Sequence, residues 1–313
     1  MSKKFTVGVD FGGTNIKFGL VNASGRIISR TRLETKVFGR DKKRLITAMA
    51  ESIVVLLRKN RIQRKNIAGI GIGLPGLIDP VKGIVRFLPN VPGWREVPLR
   101  KILEQKLGIP VYLENDVNLI TLGEWKFGAG RGYSDIFCMT LGTGVGGGLI
   151  LNGQIYRGPG FVAGEVGHLP LNENGPQCNC GGWGCFERYV GNKKIIEGLR
   201  KNFCQPKAKH IYDFYRYAKK GDRRALKLWD EIGTHIGNAL VGVVNILNPQ
   251  LIIIGGGVSN NYPFFQKKVK EVIRSRAMPV QAKMVRLTRA KFTDGAGIQG
   301  AKVLVEESSF AKR

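Results

Sequence analysis

The sequence has no apolar run of about 18 residues and no signal-peptide pattern at its start, which argues against a membrane span and against secretion. It has only five cysteines, an odd number, so a disulfide framework is not expected. We therefore expect a cytoplasmic protein with reduced thiols. Its 313 residues can form a large core, and two domains are expected.

Acidic residues are also scarce. The chain has 23 of them against 50 lysines and arginines, and the formal net charge is +27. Such a charge would favour binding to nucleic acids or to a membrane surface. The basic residues, concentrated at 26–65 and 193–227, are nevertheless dispersed over helix-like segments and not interleaved with aromatics as in a stacking platform. We interpret them as solvated helix faces, so neither a membrane nor a specific nucleic-acid partner is expected.

Three of the five cysteines lie within eight residues, at Cys178, Cys180 and Cys185, and His168 precedes them by ten residues. One histidine and three thiolates are enough to close a tetrahedral structural zinc site. The C-x-C and C-x4-C spacings do not fit a redox motif of the C-x-x-C type. Glu165 and Glu187 lie beside these ligands, but carboxylates are the wrong type for a thiolate-rich site. The pattern predicts a zinc-shaped loop that holds two acidic side chains against a ligand with many hydroxyls, such as a sugar.

The order of secondary-structure elements occurs twice along the chain. Strand patterns at 5–10 and 16–21 enclose a glycine turn, and a second pair with a glycine turn follows at 136–151. Helical spacing and buried-strand patterns follow each pair, at 41–60, 67–74 and 111–113 in the first case and at 222–247 and 251–254 in the second. This repetition indicates two related α/β halves.

Three glycine loops, at 10–14, 142–147 and 255–257, are candidates for phosphate binding. A backbone without side chains can bring its amides close to phosphate oxygens. Gly142, Gly144 and Gly147 match G-x-G-x-x-G, but a strand follows them where the dinucleotide fingerprint requires a helix. Each loop alone is explained equally well by a tight hairpin turn. Together they predict a nucleotide held by loops from both halves.

Asp116 is the candidate catalytic residue. It follows the strand at 111–113, at the strand end where ligands gather in open α/β sheets, and Asn115 and Asn118 flank it. A carboxylate in this position can accept the proton of a hydroxyl that attacks a γ-phosphate. The alternative is that Asn115 or Asp116 only caps the helix that runs to Phe127.

These motifs together resemble the ROK family (repressor, open reading frame, kinase), and among its members the bacterial glucokinases. The resemblance covers most of the chain. It is carried by the segments 10–14, 73–76, 89–90, 114–118, 141–148, 164–168 and 178–187. It implies an actin-like (ribonuclease H-like) two-lobed α/β sugar-kinase fold with duplicated domains around a cleft. The expected domains are 1–117 and 118–294, with a helix at 295–313 that packs back on the first.

The resemblance implies that ATP phosphorylates the 6-hydroxyl of a hexose, with Asp116 as the general base. Glucose is the first substrate expected; N-acetylglucosamine, N-acetylmannosamine, mannose, fructose and allose are the alternatives. A homodimer or homotetramer is also implied. The residues expected to bind the sugar are Gly76, Asn90, Asn115, Asp116, Glu165, His168 and Glu187, with His168 shared between sugar and zinc. Those expected to hold ATP and Mg²⁺ are Asp10, Gly12, Gly13, Thr14, Lys17, Gly142, Thr143 and Gly144, with Gly255, Gly256 and Gly257 near the adenosine.

The family also contains sugar-responsive repressors, which carry a helix-turn-helix module before the kinase-like body. Here the first strand pattern starts at Phe5, which leaves no room for such a module and favours the enzyme. A zinc-stabilised sugar-binding protein without turnover is the other alternative.

Overall fold

The computed structural model describes residues 4–39, 41–89, 91, 93–203 and 211–310. The chain forms two compact units. The first contains the residues up to Gly132, the segment Ile155–Ala163 and the chain end from Asp294, and the second contains Tyr133–Gln154 and Gly164–Thr293.

The first unit is built on a five-stranded sheet in the order β3-β2-β1-β4-β8. A small sheet, β5-β6-β7, follows β4 along the chain. The strands are β1 (Phe5–Phe11), β2 (Asn15–Asn22), β3 (Ile27–Glu34), β4 (Ile67–Leu74), β5 (Leu77–Asp79), β6 (Ile84–Phe87), β7 (Arg95–Val97) and β8 (Val111–Asn115). β1, β4 and β8 are parallel, and Asp10, Gly73 and Glu114 are neighbours across them. The carboxyl ends of these three strands therefore meet at one edge.

One face of this sheet forms the apolar core of the unit. Val7, Val9 and Phe11 alternate along β1 and pack in one cluster with the buried side chains of helices α1 (Lys42–Lys59) and α2 (Leu99–Leu107). The Asp41 side chain caps α1 by accepting from the Arg44 N–H at 2.9 Å. α2 ends at Gly108 in the left-handed conformation. The predicted helix at 41–60 thus forms, with its first residue as the cap.

The opposite face of the sheet is lined with glycine, which lets the last helix lie directly on the backbone. A Cβ on Gly71 would stand 2.7 Å from the Cβ of Ala301, in helix α10 (Ala296–Phe310). Helix α3 (Asp116–Phe127) packs against α10 equally closely, because a Cβ on Gly300 would collide with the carbonyl oxygen of Leu119. The C-terminal helix therefore belongs to the first unit.

The second sheet has the order β11-β10-β9-β12-β13, and its strands β9, β10, β12 and β13 lie in the second unit. Its strands are β9 (Ile136–Leu141), β10 (Val145–Leu151), β11 (Gln154–Tyr156), β12 (Leu251–Gly255) and β13 (Arg286–Arg289). β9 and β10 are antiparallel, whereas β9, β12 and β13 are parallel. This arrangement matches the first sheet strand for strand, with β9 in the place of β1 and β12 in the place of β4, so the predicted duplication is confirmed.

Helices surround the second sheet. They are α4 (Glu187–Val190), α5 (Asn192–Phe203), α6 (Ile211–Lys219), α7 (Arg223–Leu247), α8 (Tyr262–Arg276) and α9 (Pro279–Met284). The Asp222 side chain caps α7, which ends at Asn248 in the left-handed region. The Trp229 ring of α7 lies 4.9 Å from Phe214 and 5.7 Å from Phe265, centroid to centroid. Among the described residues, no helix is both long and apolar enough to cross a membrane.

Two details differ from the sequence-based expectation. The glycine turn expected at 142–147 is shorter, because Val145 already pairs with Leu141, and Gly146 and Gly147 lie in β10. The domain boundary expected after Val117 falls inside α3, and the first unit extends to Gly132. The close packing of α3 on α10 accounts for this second difference, since it holds α3 in the first unit.

The close approach of α10 to α3 can be tested with two alanine substitutions in the same helix. Gly300→Ala places a methyl group against the Leu119 backbone and should lower the free energy of unfolding by about 1–3 kcal/mol or more. Gly297→Ala meets its nearest atom at 3.7 Å, so it should be neutral or stabilising by about 0.5–1 kcal/mol. Urea unfolding of both variants measures the difference, and equal effects would contradict this packing.

Candidate active site and metal centre

Asp116 is the first residue of α3 and directly follows β8. The helix cap is Asn115, whose Oδ1 accepts from the N–H groups of Val117 at 2.9 Å and Asn118 at 3.3 Å. The half-buried Asp116 carboxylate also accepts from the Val117 N–H, at 3.0 Å. Because Asn115 already performs the capping that the sequence left open between the two residues, the Asp116 carboxylate is not needed for that purpose.

The first glycine loop joins β1 to β2 in the first unit. Its backbone is fixed on both sides, because the Gly12 N–H donates to the Asn15 carbonyl at 3.0 Å and the Thr35 hydroxyl donates to the Gly13 carbonyl at 2.8 Å. Gly13 and Thr14 are exposed. The loop is therefore ordered and open, as a phosphate-binding loop must be.

Two charged residues, Asp10 and Lys17, flank this loop in the sequence. Burial raises the pKa of Asp10, and the nearby Asp294 adds to this increase while Lys17 opposes it. Asp294 in turn accepts from Lys17 Nζ at 2.7 Å and from Arg30 at 2.8 Å. Asp294 stands just before α10, so the chain end places an acid beside the predicted phosphate-binding residue Lys17.

Gly76 lies beyond the end of β4, in the left-handed region with φ of 96°. A side chain there would strike the Phe87 carbonyl oxygen, so only glycine fits this turn. Asn90, the other sugar-binding residue expected in this region, lies outside the described residues.

The second glycine loop, Gly142–Gly144, joins β9 to β10 in the second unit. Gly142 donates its N–H to the Gly144 carbonyl at 2.9 Å, which closes the turn. The Val145 N–H donates to Glu187 Oε2 at 2.8 Å, and the Asn192 N–H donates to the Gly142 carbonyl at 3.0 Å. Glu187 thus holds the loop, in addition to its predicted contact with the sugar.

The third glycine loop begins at the end of β12. Gly256 has φ of 79°, and a Cβ there would collide with the Leu141 carbonyl oxygen on the neighbouring strand β9. Gly257 has no atom within 4 Å of the position of a Cβ, so its backbone faces open space. The structure brings the second and third loops to the same edge of this sheet, since β9 and β12 are parallel neighbours.

The predicted zinc ligands converge in the second unit. The ligand atoms of His168, Cys178, Cys180 and Cys185 all lie within 4.8 Å of one another. The Sγ atoms of Cys180 and Cys185 are 3.6 Å apart, and Cys178 Sγ is 3.7 Å from His168 Nδ1. Tetrahedral zinc with Zn–S bonds of about 2.3 Å separates its sulfur ligands by about 3.8 Å. Donor types and spacing therefore fit zinc.

The orientation of His168 is set within this cluster. Nδ1 faces Cys178, whereas Nε2 points the other way and lies 3.9 Å from an oxygen of Glu165. The side chain of Glu165 is 58% exposed. A metal on Nδ1 would fix the tautomer of the ring and leave Nε2 to a ligand next to Glu165.

The cysteine loop itself favours metal binding. The Cys178 N–H donates to the Gly182 carbonyl at 2.8 Å, and Gly181 adopts φ of 94°, so the turn between Cys178 and Gly182 is tight. A hydrogen bond from the Gly182 N–H and the neighbouring thiols lower the pKa of Cys180 to about 7. A thiol with this pKa readily forms the thiolate, which is the form of cysteine that binds zinc.

Two charged residues near the candidate site were not predicted. Asp294 reaches Lys17 across 277 positions of sequence, and Arg157 reaches Glu114 across 43. No local motif surrounds either residue. Only the fold brings these partners together.

Comparison with known proteins agrees with this geometry. The family profile described as "ROK family" matches residues 6–308. A glucokinase of Thermotoga maritima is 35% identical over 98% of this chain and 99% of its own length. A xylose repressor of Caldicellulosiruptor bescii is 32% identical over 96% of this chain and 77% of its own length.

Solved structures give the same result. A ROK family glucokinase from Streptomyces griseus, in complex with glucose and AMPPNP, superposes with a TM-score of 0.82 at 29% identity, covering 97% of this chain and 99% of that one. The fold and its structural neighbours define an actin-like, two-domain α/β protein of the sugar-kinase type. The chain belongs to the ROK family, and the resemblance noted in its sequence is confirmed.

The four candidate ligands predict that the purified protein contains zinc. Metal analysis should find close to one zinc per chain, and Cys180→Ala should lower both the zinc content and the affinity for hexose, because it removes one of four ligands. Cys138→Ala is the matched control, since Cys138 lies in β9 outside the cluster and its loss should leave zinc bound. Full zinc occupancy in Cys180→Ala would show that the ligand set is wrong.

Proposed function

We propose that this protein transfers the γ-phosphoryl group of ATP to the 6-hydroxyl of a hexose, with glucose as the preferred substrate and Asp116 as the general base. The observation that carries the proposal is the position of the half-buried Asp116 carboxylate at the end of β8, directly after the helix cap Asn115. Ligands gather at this end of the strands in open α/β sheets, and a carboxylate there can accept the proton of an attacking hydroxyl. The glucokinase relative, matched over nearly its whole length, supports the same activity.

Glu165, His168 and Glu187 are the proposed hydroxyl-binding groups of the second unit. Carboxylate oxygens and an imidazole nitrogen suit the hydroxyls of a sugar, which both donate and accept hydrogen bonds. The cluster of cysteines supports this role because a bound zinc would hold the His168 ring in one orientation. Gly76, Asn90, Asn115 and Asp116 are the proposed contacts from the first unit.

The ATP phosphates are proposed to bind the loops at Gly12–Thr14 and Gly142–Gly144. Asp10 and Lys17 accompany the first loop, and Thr143 lies in the second. Backbone amides and a lysine are the groups that proteins use to hold phosphates, and magnesium bound with ATP neutralises charge on the transferred group. Gly255, Gly256 and Gly257 are proposed to approach the adenosine, where an open backbone leaves room for it.

A second candidate function is sugar sensing without turnover. The xylose repressor relative favours it, since that protein is 32% identical to this chain over almost all of it. A sensor would bind the sugar but would leave ATP unconsumed. An assay that couples ADP release to a visible reaction therefore separates the two candidates directly.

The first experiment for the proposed function is a panel of hexoses in that assay. Glucose should give the highest kcat/KM, and N-acetylglucosamine, N-acetylmannosamine, mannose, fructose and allose complete the panel. A preference for an N-acetylhexosamine would support the kinase activity but would show that glucose is not the preferred substrate. Binding of sugar without ADP release on any of the six would identify a sensor.

The role of Asp116 is tested by Asp116→Asn. This change removes the proton acceptor and keeps the shape, so kcat should fall by about 10²-fold or more while sugar affinity is largely retained. Asp41→Asn is the matched control, because asparagine also caps helices well and Asp41 only caps α1. Steady-state kinetics and calorimetric titration with glucose give the two quantities. Near-normal turnover in Asp116→Asn would remove Asp116 from the mechanism.

A further inference from the structure

A buried ion pair lies immediately before the proposed base. The Glu114 side chain, the last but one of β8, is 3% exposed, and its Oε2 accepts from Arg157 Nε at 2.6 Å. Arg157 is itself only 26% exposed. A carboxylate removed from water in this way depends on its partner, because a buried charge without a counter-charge is costly.

The other oxygen of Glu114 holds the junction between β8 and α3. Oε1 accepts from the backbone N–H of Asn115 at 2.9 Å and from Asn118 Nδ2 at 3.0 Å. Asn115 is the helix cap, and Asn118 lies in the first helical turn. One carboxylate thus fixes the residue before Asp116 and the residue one half-turn after it.

Arg157 reaches Glu114 from a segment that is separate in sequence. Residues Ile155–Ala163 belong to the first unit, although the chain on both sides of them belongs to the second. The segment closes on itself, because the Ala163 N–H donates to the Arg157 carbonyl at 2.9 Å and Gly158 turns with φ of 70°. Its backbone geometry therefore holds Arg157 in place.

The surroundings of Arg157 include a second acid. Burial raises the pKa of Glu307 in α10, and Arg157 and Lys126 oppose this increase. Arg157 therefore pairs with a carboxylate of β8 and acts electrostatically on a carboxylate of α10, the two elements that adjoin the start and the flank of α3.

We propose that Glu114 and Arg157 are positioning residues for Asp116. Arg157 orients the Glu114 carboxylate, and Glu114 holds Asn115 and Asn118 so that the Asp116 carboxylate meets the sugar hydroxyl in line. This inference rests on the proposed kinase function. A positioning role differs from a purely structural one, because a purely structural ion pair would stabilise the first unit without affecting turnover.

The test compares Arg157→Met with Arg157→Lys and with a matched control. Arg157→Met should lower kcat by about tenfold to a hundredfold, since small displacements of a catalytic group have effects of this size. KM for glucose should change less than kcat does, because the Glu114–Arg157 pair holds only Asn115 and Asp116 among the proposed sugar contacts. Arg157→Lys keeps the charge and should recover part of the lost kcat.

The control is Arg86→Met. Asp79 and Arg86 form a similar pair in the small sheet of the same unit, at 2.7 Å, with the Asp79 side chain 4% exposed. Arg86→Met should lower the unfolding midpoint about as much as Arg157→Met does, but it should leave kcat unchanged. If the Glu114–Arg157 pair contributed to stability alone, Arg157→Met would behave like Arg86→Met and would lower the unfolding midpoint without changing kcat.

A second measurement does not depend on activity. Amide hydrogen exchange at 115–118 should become faster in Arg157→Met and stay unchanged in Arg86→Met, because only the former releases the Glu114 carboxylate. If the wild type is active and Arg157→Met has the same kcat, this inference is wrong but the proposed function stands. A wild type that turns over no hexose would overturn the proposed function, and the inference would fall with it.

Discussion

The first unit depends on the contact between α10 and a sheet face whose central positions are glycines. Glycines on β1, β2 and β4 let the helix lie against the backbone, and Gly300 lets it do the same against α3. This contact fixes α3, and with it Asp116 at the start of α3. The same helix begins beside Asp10 and follows Asp294, which pairs with Lys17. A single packing arrangement therefore places both the candidate base and the candidate phosphate-binding residues.

The second unit has a candidate metal site where the first has close helix packing. The loop that carries His168 and the three cysteines has little regular structure, with a short 3-10 turn at Val166–His168 and two isolated bridges, Pro170 with Cys185 and Gln177 with Trp183. Backbone hydrogen bonds such as those from Phe186 to Leu169 and from Leu171 to Gly184 hold the two ends of the loop together, and a structural zinc would add a constraint among the four candidate ligands. Glu187 lies two residues after Cys185, the last candidate ligand, and its side chain accepts from the Val145 N–H. The Glu187 carboxylate thus links the candidate metal site to the glycine loop of this unit.

The features that the sequence predicts well are those whose signal is local. The zinc ligands lie within eighteen consecutive residues, and the strand ending at Asn115 has an unbroken apolar pattern before it. The domain boundary was misplaced because the contact between Gly300 and Leu119 joins residues that no local pattern connects. Arg157 and Asp294 were missed for the same reason, and the short strands β5 to β7 have too few residues to show a period.

Several of the 23 acidic residues have a defined structural role. Asp41 and Asp222 cap helices, Asp79 and Glu114 are buried against arginines, and Asp294 joins two cations. The net charge of +27 is therefore carried by cations for which the chain has no carboxylate. Such a field attracts a triphosphate from many directions but does not select a site. Selection must come from short-range groups, so we propose that the ordered glycine amides, and not the basic surface, determine where a nucleotide binds.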